Sequence, residues 1–187
     1  MEIEKTPLSD CYIIHFSHQI DARGSFTRSF DYSEFLNLGL PHTVDHTAEA
    51  FNKNSLTLRG MHFQESPMPD AKLVRCTSGA AFDVIVDLRR QSPTFKQWYG
   101  LVLSENDLNK ALYVPAGFAH GYLTLRDETT MSYHLFTPYA AELQRGFRFD
   151  DPEIGIEWPE APLVIAERDA NLPAYSSLDR ELKNGLS

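Results

Sequence analysis

The sequence has few cysteines, an excess of acidic over basic residues and no long apolar run. With only Cys11 and Cys76 in 187 residues, no disulfide framework is expected. Its net charge of −9 repels a phosphate backbone, which argues against a nucleic acid partner. No segment approaches the ~20 apolar residues of a membrane-spanning helix, and the first residues, MEIEKTPLSD, lack the pattern of a signal peptide. We therefore expect a cytoplasmic protein that binds neither nucleic acid nor membrane.

Several catalytic and cofactor motifs are also missing. The sequence contains no Gly-x-Ser-x-Gly turn, and no glycine loop of the kinds that hold dinucleotides or phosphates. His62 has no second histidine at position 60 or 64, His15 and His18 are three apart in a run typical of a strand, and His42 and His46 fall in a polar stretch. Since metal sites in small barrels need several converging ligands, we expect neither a metal nor a cofactor.

Short β-strand patterns dominate the chain and indicate one all-β domain over residues 1–187. The runs 72–76 and 81–88 flank Thr-Ser-Gly-Ala, which predicts a hairpin. The second run alternates apolar residues with Asp83, Ile85 and Asp87, the period of a half-buried strand. Further predicted strands are 99–103, 111–114, 121–125 and 129–136. Such a series is typical of a barrel or sandwich, including jelly rolls and cupins.

Helical signals are brief. Ser33 is a candidate N-cap for a turn through Leu38 that Gly39 ends, and residues 104–108 form a second candidate turn. The last thirty or so residues are polar and interrupted by proline, so we expect them to wrap over the barrel and fray near residues 183–187.

General acid–base chemistry remains as a possible function. Histidine is a suitable base near neutral pH when a carboxylate fixes its tautomer. His62 is the candidate base, and Asp83, Asp87 and Asp169 are candidate carboxylates. Taken singly, each also fits a structural role, such as a capping aspartate.

Two further side chains fit the same chemistry. Lys72 follows His62 by ten residues, and Tyr133 has the apolar neighbours Met131 and Leu135 on its strand face. That pattern directs the phenol inward. A lysine whose stem lies along apolar surface and a hydrogen-bonded core tyrosine are the structural alternatives.

Seven stretches in a fixed order favour the catalytic roles of these residues over the structural ones. They are residues 23–26 (RGSF), 58–64 (LRGMHFQ), 72–75 (KLVR), 82–89 (FDVIVDLR), 92–95 (SPTF), 114–121 (VPAGFAHG) and 150–159 (DDPEIGIEWP). In this order they resemble the dTDP-4-dehydrorhamnose 3,5-epimerase family of cupin-type sugar-nucleotide epimerases, over about residues 5–175. The resemblance implies a cupin-type jelly-roll barrel with a few short helices. It also implies a homodimer that exchanges strands, no metal or nicotinamide, and a nucleotide-linked 4-keto-6-deoxy sugar as substrate.

The resemblance also implies roles for single residues. His62 matches the family's base, Asp169 the carboxylate that orients it, Lys72 the lysine near the keto oxygen and Tyr133 the acid on the opposite face of the sugar. The residues matched to substrate binding are Arg23 and Arg59 for the diphosphate, with Arg23 from the partner subunit, His120 for the sugar, Tyr139 for the base, and Phe26 and Arg28 in the first motif.

The sequence departs from the family pattern at nucleotide-reading positions. Arg28 stands where members commonly have a glutamate, and Thr47, Glu49 and Phe51 stand in place of Gln-x-Asn-x-Ser. An arginine only donates hydrogen bonds and therefore suits cytosine better than the N3–H of thymine. A 3- or 5-mono-epimerase acting on a CDP- or other NDP-linked sugar, a related ketoisomerase and a non-catalytic sugar-nucleotide-binding cupin remain alternatives.

Overall fold

The computed structural model describes residues 1–181 and is built mainly from β-strands. The strands are β1 (Glu2–Lys5), β2 (Tyr12–His15), β3 (His18–Asp21), β4 (Gly24–Thr27), β5 (His46–Asn52), β6 (Thr57–Gln64), β7 (Lys72–Ser78), β8 (Ala80–Asp87), β9 (Trp98–Ser104), β10 (Lys110–Val114), β11 (Phe118–Thr124), β12 (Thr129–Leu135), β13 (Gln144–Gly146) and β14 (Val164–Ile165). The helices are α1 (Tyr32–Asn37), α2 (Glu167–Ala170) and α3 (Tyr175–Glu181). The predicted all-β class with a few short helices is confirmed.

Two sheets form the body of the fold. The first sheet has the strand order β1-β2-β10-β7-β12-β5, and the second has the order β13-β6-β11-β8-β9, with β14 added parallel to β6. Strands β3 and β4 form a separate hairpin. Apart from β14, neighbouring strands in both sheets are antiparallel. Along each strand, side chains that point into the space between the sheets alternate with side chains that point outward.

The apolar core lies between the two sheets. Val74 and Met131 from the first sheet pack in one buried cluster with Ile85 and Tyr122 from the second. A second cluster covers the outer face of the second sheet, where Tyr175 and other residues of the C-terminal part pack on its strands. The predicted wrapping of the C-terminal part is confirmed there, whereas the fraying expected at residues 183–187 lies outside the described residues.

The predicted hairpin between β7 and β8 is wrong. These strands are consecutive in the chain but belong to different sheets, and Gly79 between them has a φ of +73°. The turn therefore carries the chain across the core instead of folding it back onto its neighbour. The half-buried prediction for β8 is also wrong, because Ile85 faces the core and Val84 and Val86 face the covered outer side. The single domain over residues 1–187 stays a prediction.

The first helix begins two residues earlier than predicted. Asp31, not Ser33, is the N-cap of α1, and its Oδ1 accepts the backbone N–H of Glu34 at 3.1 Å. Gly39 follows the helix with a φ of +69°, as a helix-ending glycine does. The second predicted turn is a short 3-10 helix, Glu105–Asp107. Within the described residues, no helix is long and apolar enough to cross a membrane.

Candidate active site

A cavity of about 660 Å³ opens between the two sheets. The second sheet lines it with His62 and His120, whose Cα atoms are paired in the β6–β11 register. The first sheet lines it with Lys72 and Tyr133, on the neighbouring strands β7 and β12. Side chains that are far apart in the sequence thus meet in one concave space, as in most ligand sites.

His62 is paired with a carboxylate from the C-terminal part of the chain. Its Nε2 lies 2.8 Å from Oδ1 of Asp169, which is buried in the short helix α2. Burial by itself raises the pKa of the Asp169 carboxyl, but its hydrogen bonds with His62 and with the Gly60 N–H hold that pKa below its usual value. This pairing leaves the other ring nitrogen of His62, Nδ1, for a ligand.

A close approach of two backbones positions this pair. Gly60 has a φ of +129°, and a Cβ there would lie 2.6 Å from the Cα of Gly121 on β11. The register between the strands shifts near this point, between His120 and Tyr122. The Gly60 N–H also donates to Oδ2 of Asp169 at 3.2 Å. A side chain at position 60 would therefore disturb both the strand pairing and the carboxylate.

Lys72 is buried in an ion pair on the cavity wall. Its Nζ lies 2.7 Å from Oδ2 of Asp70, and each residue is 7% exposed. The other carboxylate oxygen of Asp70 accepts the Gln64 N–H at 3.0 Å. The lysine is thus held between the end of β6 and the start of β7, with the rest of its ammonium hydrogens available to a ligand.

Tyr133 points inward as predicted. It packs against the core cluster, and its ring lies 6.0 Å from that of His120 across the interior. Burial, together with the nearby Tyr122 and Asp83, raises the pKa of Tyr133 well above its usual value. The hydroxyl therefore stays protonated at neutral pH and is available as a proton donor.

A second histidine–aspartate pair lies beside Tyr133. His120 Nε2 is 2.8 Å from Oδ2 of Asp83, which is completely buried. Asp83, a candidate partner for the base in the sequence, thus binds His120 and not His62. Asp87, the other candidate on that face, lies away from the cavity and binds Arg89, Ser92 and Thr94. Of the three carboxylates considered, only Asp169 meets His62.

The arrangement suits proton transfer on both sides of a flat ligand. A base with its carboxylate projects from one sheet, and a phenol and an ammonium project from the facing sheet. A ring held between the sheets is accessible from both faces. Removal of a proton next to a ketone, stabilisation of the resulting enolate and return of a proton from the other side require these three groups.

Comparisons with known proteins agree with this geometry. Residues 5–177 match the family model of dTDP-4-dehydrorhamnose 3,5-epimerase. The chain belongs to this family. A curated member, dTDP-4-dehydrorhamnose 3,5-epimerase of Sinorhizobium fredii, is 42% identical over 159 residues, 84% of this chain and 81% of the relative.

Solved structures of epimerases have the same fold. The dTDP-6-deoxy-D-glucose-3,5-epimerase of Legionella pneumophila, in complex with dTDP-4-keto-L-rhamnose, superposes with a TM-score of 0.90 and 32% identity, covering 97% of this chain and 96% of the other. A 3'-monoepimerase from Streptomyces bikiniensis, in complex with dTDP-quinovose, gives a TM-score of 0.87 and 29% identity over 94% and 89% of the two chains. Enzymes that invert two centres and one centre thus share this architecture.

The residues that the epimerase family resemblance assigned to substrate binding fall into two groups. Arg59, His120 and Tyr139 line the cavity with the proposed acid–base residues. The second group, Arg23, Phe26 and Arg28, lies on or beside the β3–β4 hairpin and lines no part of the cavity. Within one chain, these three side chains do not reach the site.

The β5 positions at which the sequence departs from the family pattern, Thr47, Glu49 and Phe51, do not line the cavity. Thr47 and Glu49 line a shallow outer hollow instead, and Ala48 is the cavity-lining residue between them. His46, which the sequence placed in a polar loop, begins β5 and lines the cavity. That interpretation was wrong because the strand starts directly after Asp45.

Asp70 was missed in the sequence. It precedes Lys72 by two residues, the spacing that places side chains on the same side of an extended chain. This spacing next to a buried lysine was the available signal. A counter-charge was to be expected there, because a buried ammonium is rarely left unpaired.

The cysteines have no reactive environment. Burial raises the pKa of the Cys11 thiol to about 12 and that of Cys76 to about 11. Neither thiol is therefore a nucleophile at neutral pH. Among residues 1–181, no cluster of three or more His, Cys, Asp or Glu side chains has the arrangement of a metal site.

Proposed function

We propose that this chain inverts C3 and C5 of a dTDP-linked 4-keto-6-deoxyhexose. The observation that carries the proposal is the facing arrangement of the His62–Asp169 pair and Tyr133 on opposite walls of one cavity. Membership of the epimerase family supplies the substrate class. The ketone at C4 acidifies the hydrogens on both neighbouring carbons, so one set of groups can act at either centre.

The reaction begins with removal of a proton. Nδ1 of His62 takes the hydrogen from the carbon next to the ketone, and Asp169 stabilises the imidazolium that forms. The electron pair moves into the ring, and the keto oxygen becomes an enolate. The Lys72 ammonium donates to that oxygen, which stabilises its negative charge.

Inversion is completed from the other wall. Tyr133 gives its proton to the enolate carbon on the face opposite His62, and the carbonyl re-forms. The imidazolium proton returns to water and Tyr133 is reprotonated from water, so the cycle consumes nothing. Neither step requires a metal ion or a nicotinamide.

Nucleotide binding is the part of the proposal that involves a second subunit. Arg59 holds the diphosphate, as its forked guanidinium suits, and His120 and Tyr139 contact the sugar and the base. Arg23, Phe26 and Arg28 reach the site from the hairpin of the partner subunit in a homodimer. Two free buried cysteines suit the reducing cytoplasm, where we place the enzyme.

Incubation in D₂O tests the proposal. The protein is mixed with a dTDP-linked 4-keto-6-deoxyhexose, and deuterium and configuration at C3 and C5 are followed by NMR. We expect deuterium and inversion at both carbons. Deuterium at one carbon only would make the chain a mono-epimerase like its Streptomyces relative. Binding without any exchange would favour a non-catalytic sugar-nucleotide-binding protein.

A further inference from the structure

Asn52 is a polar residue that strand β5 contributes to the inner side of the first sheet. Side chains along a strand alternate between its two faces. His46 and Ala48 line the cavity and Ala50 packs against the core cluster, so Asn52 is the next residue on that face. It is 2% exposed, and its amide therefore needs partners inside the protein. The β5 positions that depart from the family pattern lie on the opposite face.

The partners of Asn52 fix the direction in which its amide points. Its Nδ2 donates to the carbonyl oxygens of Ala50 and Thr129, each at 3.0 Å, which uses both amide hydrogens. Its Oδ1 accepts from Nε of Arg59 at 2.8 Å and from the Tyr122 hydroxyl at 3.3 Å. A reversed amide would set its oxygen against two carbonyl oxygens and its NH₂ group against a guanidinium. Asn52 therefore presents an acceptor to Arg59.

These contacts hold one edge of the Arg59 guanidinium. Nε donates to Asn52, and Nη2 on the same edge donates to the carbonyl oxygen of Phe51 at 3.4 Å. Nη1 and the second hydrogen of Nη2 are left for a ligand, and Arg59 lines the cavity. Both partners are neutral, so neither of them cancels the positive charge. A forked donor with a fixed direction and its full charge suits a phosphate group.

We propose that Asn52 is a positioning residue that orients Arg59 towards the diphosphate of the substrate. The inference rests on the proposed function, in which Arg59 holds that group. A mobile arginine loses side-chain freedom when it binds an anion, and this loss weakens binding. Asn52 orders the guanidinium before the substrate arrives, so less freedom is lost. Because Asn52 does not itself line the cavity, its effect should depend on Arg59 and on the phosphate groups of the ligand.

A comparison of dTDP with thymidine isolates the contribution of the diphosphate. Calorimetric titration gives the dissociation constants of both ligands for wild type and for Asn52→Ala, after thermal unfolding shows that the variant is folded. We expect dTDP to bind about tenfold more weakly to the variant. Thymidine has no phosphate, so its affinity should stay within about twofold of wild type.

Thr124→Val is the matched control for the loss of a buried polar contact. Thr124 is also buried, and its hydroxyl binds backbone groups of residues 54 and 57. Its replacement should lower the thermal stability and leave the ratio of the dTDP and thymidine affinities unchanged.

Two further variants separate positioning from packing. In an Arg59→Ala background, adding Asn52→Ala should not weaken dTDP binding further, because the guanidinium that Asn52 holds is gone. Asn52→Asp keeps the size of the side chain and places a negative charge beside the guanidinium. It should weaken dTDP binding by about tenfold or more without changing thymidine binding, and it provides the comparison if Asn52→Ala does not fold.

Each possible result bears on a different part of the proposal. Equal losses of dTDP and thymidine binding, unchanged dTDP binding, or losses that multiply in the double variant would each overturn the inference. A wild-type protein that binds dTDP no more tightly than thymidine would overturn the diphosphate role of Arg59, and this inference with it. The D₂O experiment tests the acid–base chemistry separately, so the two proposals can fail independently.

Discussion

The Nε2 atom of His62 lies 2.8 Å from Oδ1 of Asp169, although 107 residues separate the two in the chain. His62 lies in the second half of β6, and Asp169 lies in the short helix α2 that follows β14. Because β14 pairs with the start of β6, the C-terminal part of the chain delivers the carboxylate to the base. The site is therefore completed by β14 and α2, which come late in the chain.

We expect His62→Ala and Asp169→Ala to act on one function. Loss of the base should lower inversion by ~10²–10⁴-fold, and a carboxylate that works only through His62 has nothing left to stabilise once the base is gone. The double variant should therefore be little slower than His62→Ala alone. Rates of exchange in D₂O for the four proteins of the cycle check this. Losses that simply multiply would show that Asp169 acts separately from His62.

We expect Tyr133→Phe to retain proton abstraction while inversion fails. The base and the Lys72 ammonium remain in place, but the acid on the opposite wall loses its only transferable proton. Inversion should fall by ~10²–10⁴-fold, while deuterium still enters with retention of configuration. NMR of the sugar in D₂O separates the two outcomes. An equal loss of both rates would contradict a dedicated acid at this position.

Asp87 offers a test of stability and pH outside the cavity. Burial raises the pKa of its carboxyl, but hydrogen bonds from Arg89, Ser92 and Thr94 lower that pKa by more, so that it lies below the usual value. Because the folded pKa lies below the unfolded pKa of ~3.9, the stabilisation is present above that pH and is lost as the pH falls through the folded pKa.

Asp87→Asn should therefore destabilise the protein in a pH-dependent way. We expect a loss of ~2–3 kcal/mol at pH 7, typical of hydrogen bonds to a charged group, and a smaller loss near pH 3. Urea unfolding of wild type and variant at both pH values measures it. Asp150→Asn, which alters an exposed ion pair with Arg148, is the control and should cost less at pH 7. A difference that grows as the pH falls would contradict the assignment.

Local sequence patterns predicted the positions of the strands better than they predicted which strands pair with each other. The strands β9 to β12 lie close to the predicted ranges because apolar alternation is a local property. The pairing of β7 with β8 failed because a turn such as that at Gly79 joins strands of one sheet or of two facing sheets equally well. A strand that is buried on both faces, as β8 is at Val84, Ile85 and Val86, belongs between other layers of the fold. The residues that cover it are distant in the sequence, so its local pattern does not reveal which sheet it joins.

The site shows the same division between local and distant information. The resemblance assigned His62, Lys72, Tyr133 and Asp169 to one site, and all four line the same cavity. The choice among three aspartates could not be made from spacing, since Asp83 and Asp87 share one strand with different neighbours. The hairpin residues, including Arg28, line no part of the active-site cavity of their own chain, so the role proposed for them requires a second subunit, which sequence periodicity does not describe.

A homodimer should carry Arg23 from one subunit to the site of the other. The Arg23 side chain is about 90% exposed, and within residues 1–181 it pairs only with Asp21 of its own hairpin, at 2.6 Å. Ile20 and Phe26 beside it are 75% and 68% exposed. Light scattering should give the mass of a dimer. Mixing Arg23→Ala with His62→Ala protein should restore part of the activity, because hybrid dimers contain one site with both residues intact. A monomer, or no recovery after confirmed subunit exchange, would argue against shared sites.

The proposed position of Arg28 next to the nucleobase can be tested by comparing CDP with dTDP. Within its own chain its Nη1 pairs with Oδ2 of Asp31 at 2.7 Å, beside a hollow of about 190 Å³ that Phe26 and Glu34 also line. If the guanidinium faces the base in the partner's site, CDP should bind as well as dTDP or better, since arginine donates to cytosine but cannot accept the N3–H of thymine. The mismatch is worth ~1–3 kcal/mol, which competitive titration resolves.

The Arg28→Ala variant should then shift the preference back towards dTDP. Arg126→Ala is the matched control, because Arg126 is also an exposed arginine in an ion pair, with Glu105 at 3.1 Å, and it does not line the cavity. Its removal should leave the ratio of the two affinities unchanged, whereas removal of Arg28 should change that ratio by about fivefold or more. A clear preference for dTDP over CDP that Arg28→Ala does not alter would falsify base reading by Arg28 and leave it a surface ion-pair residue of the hairpin.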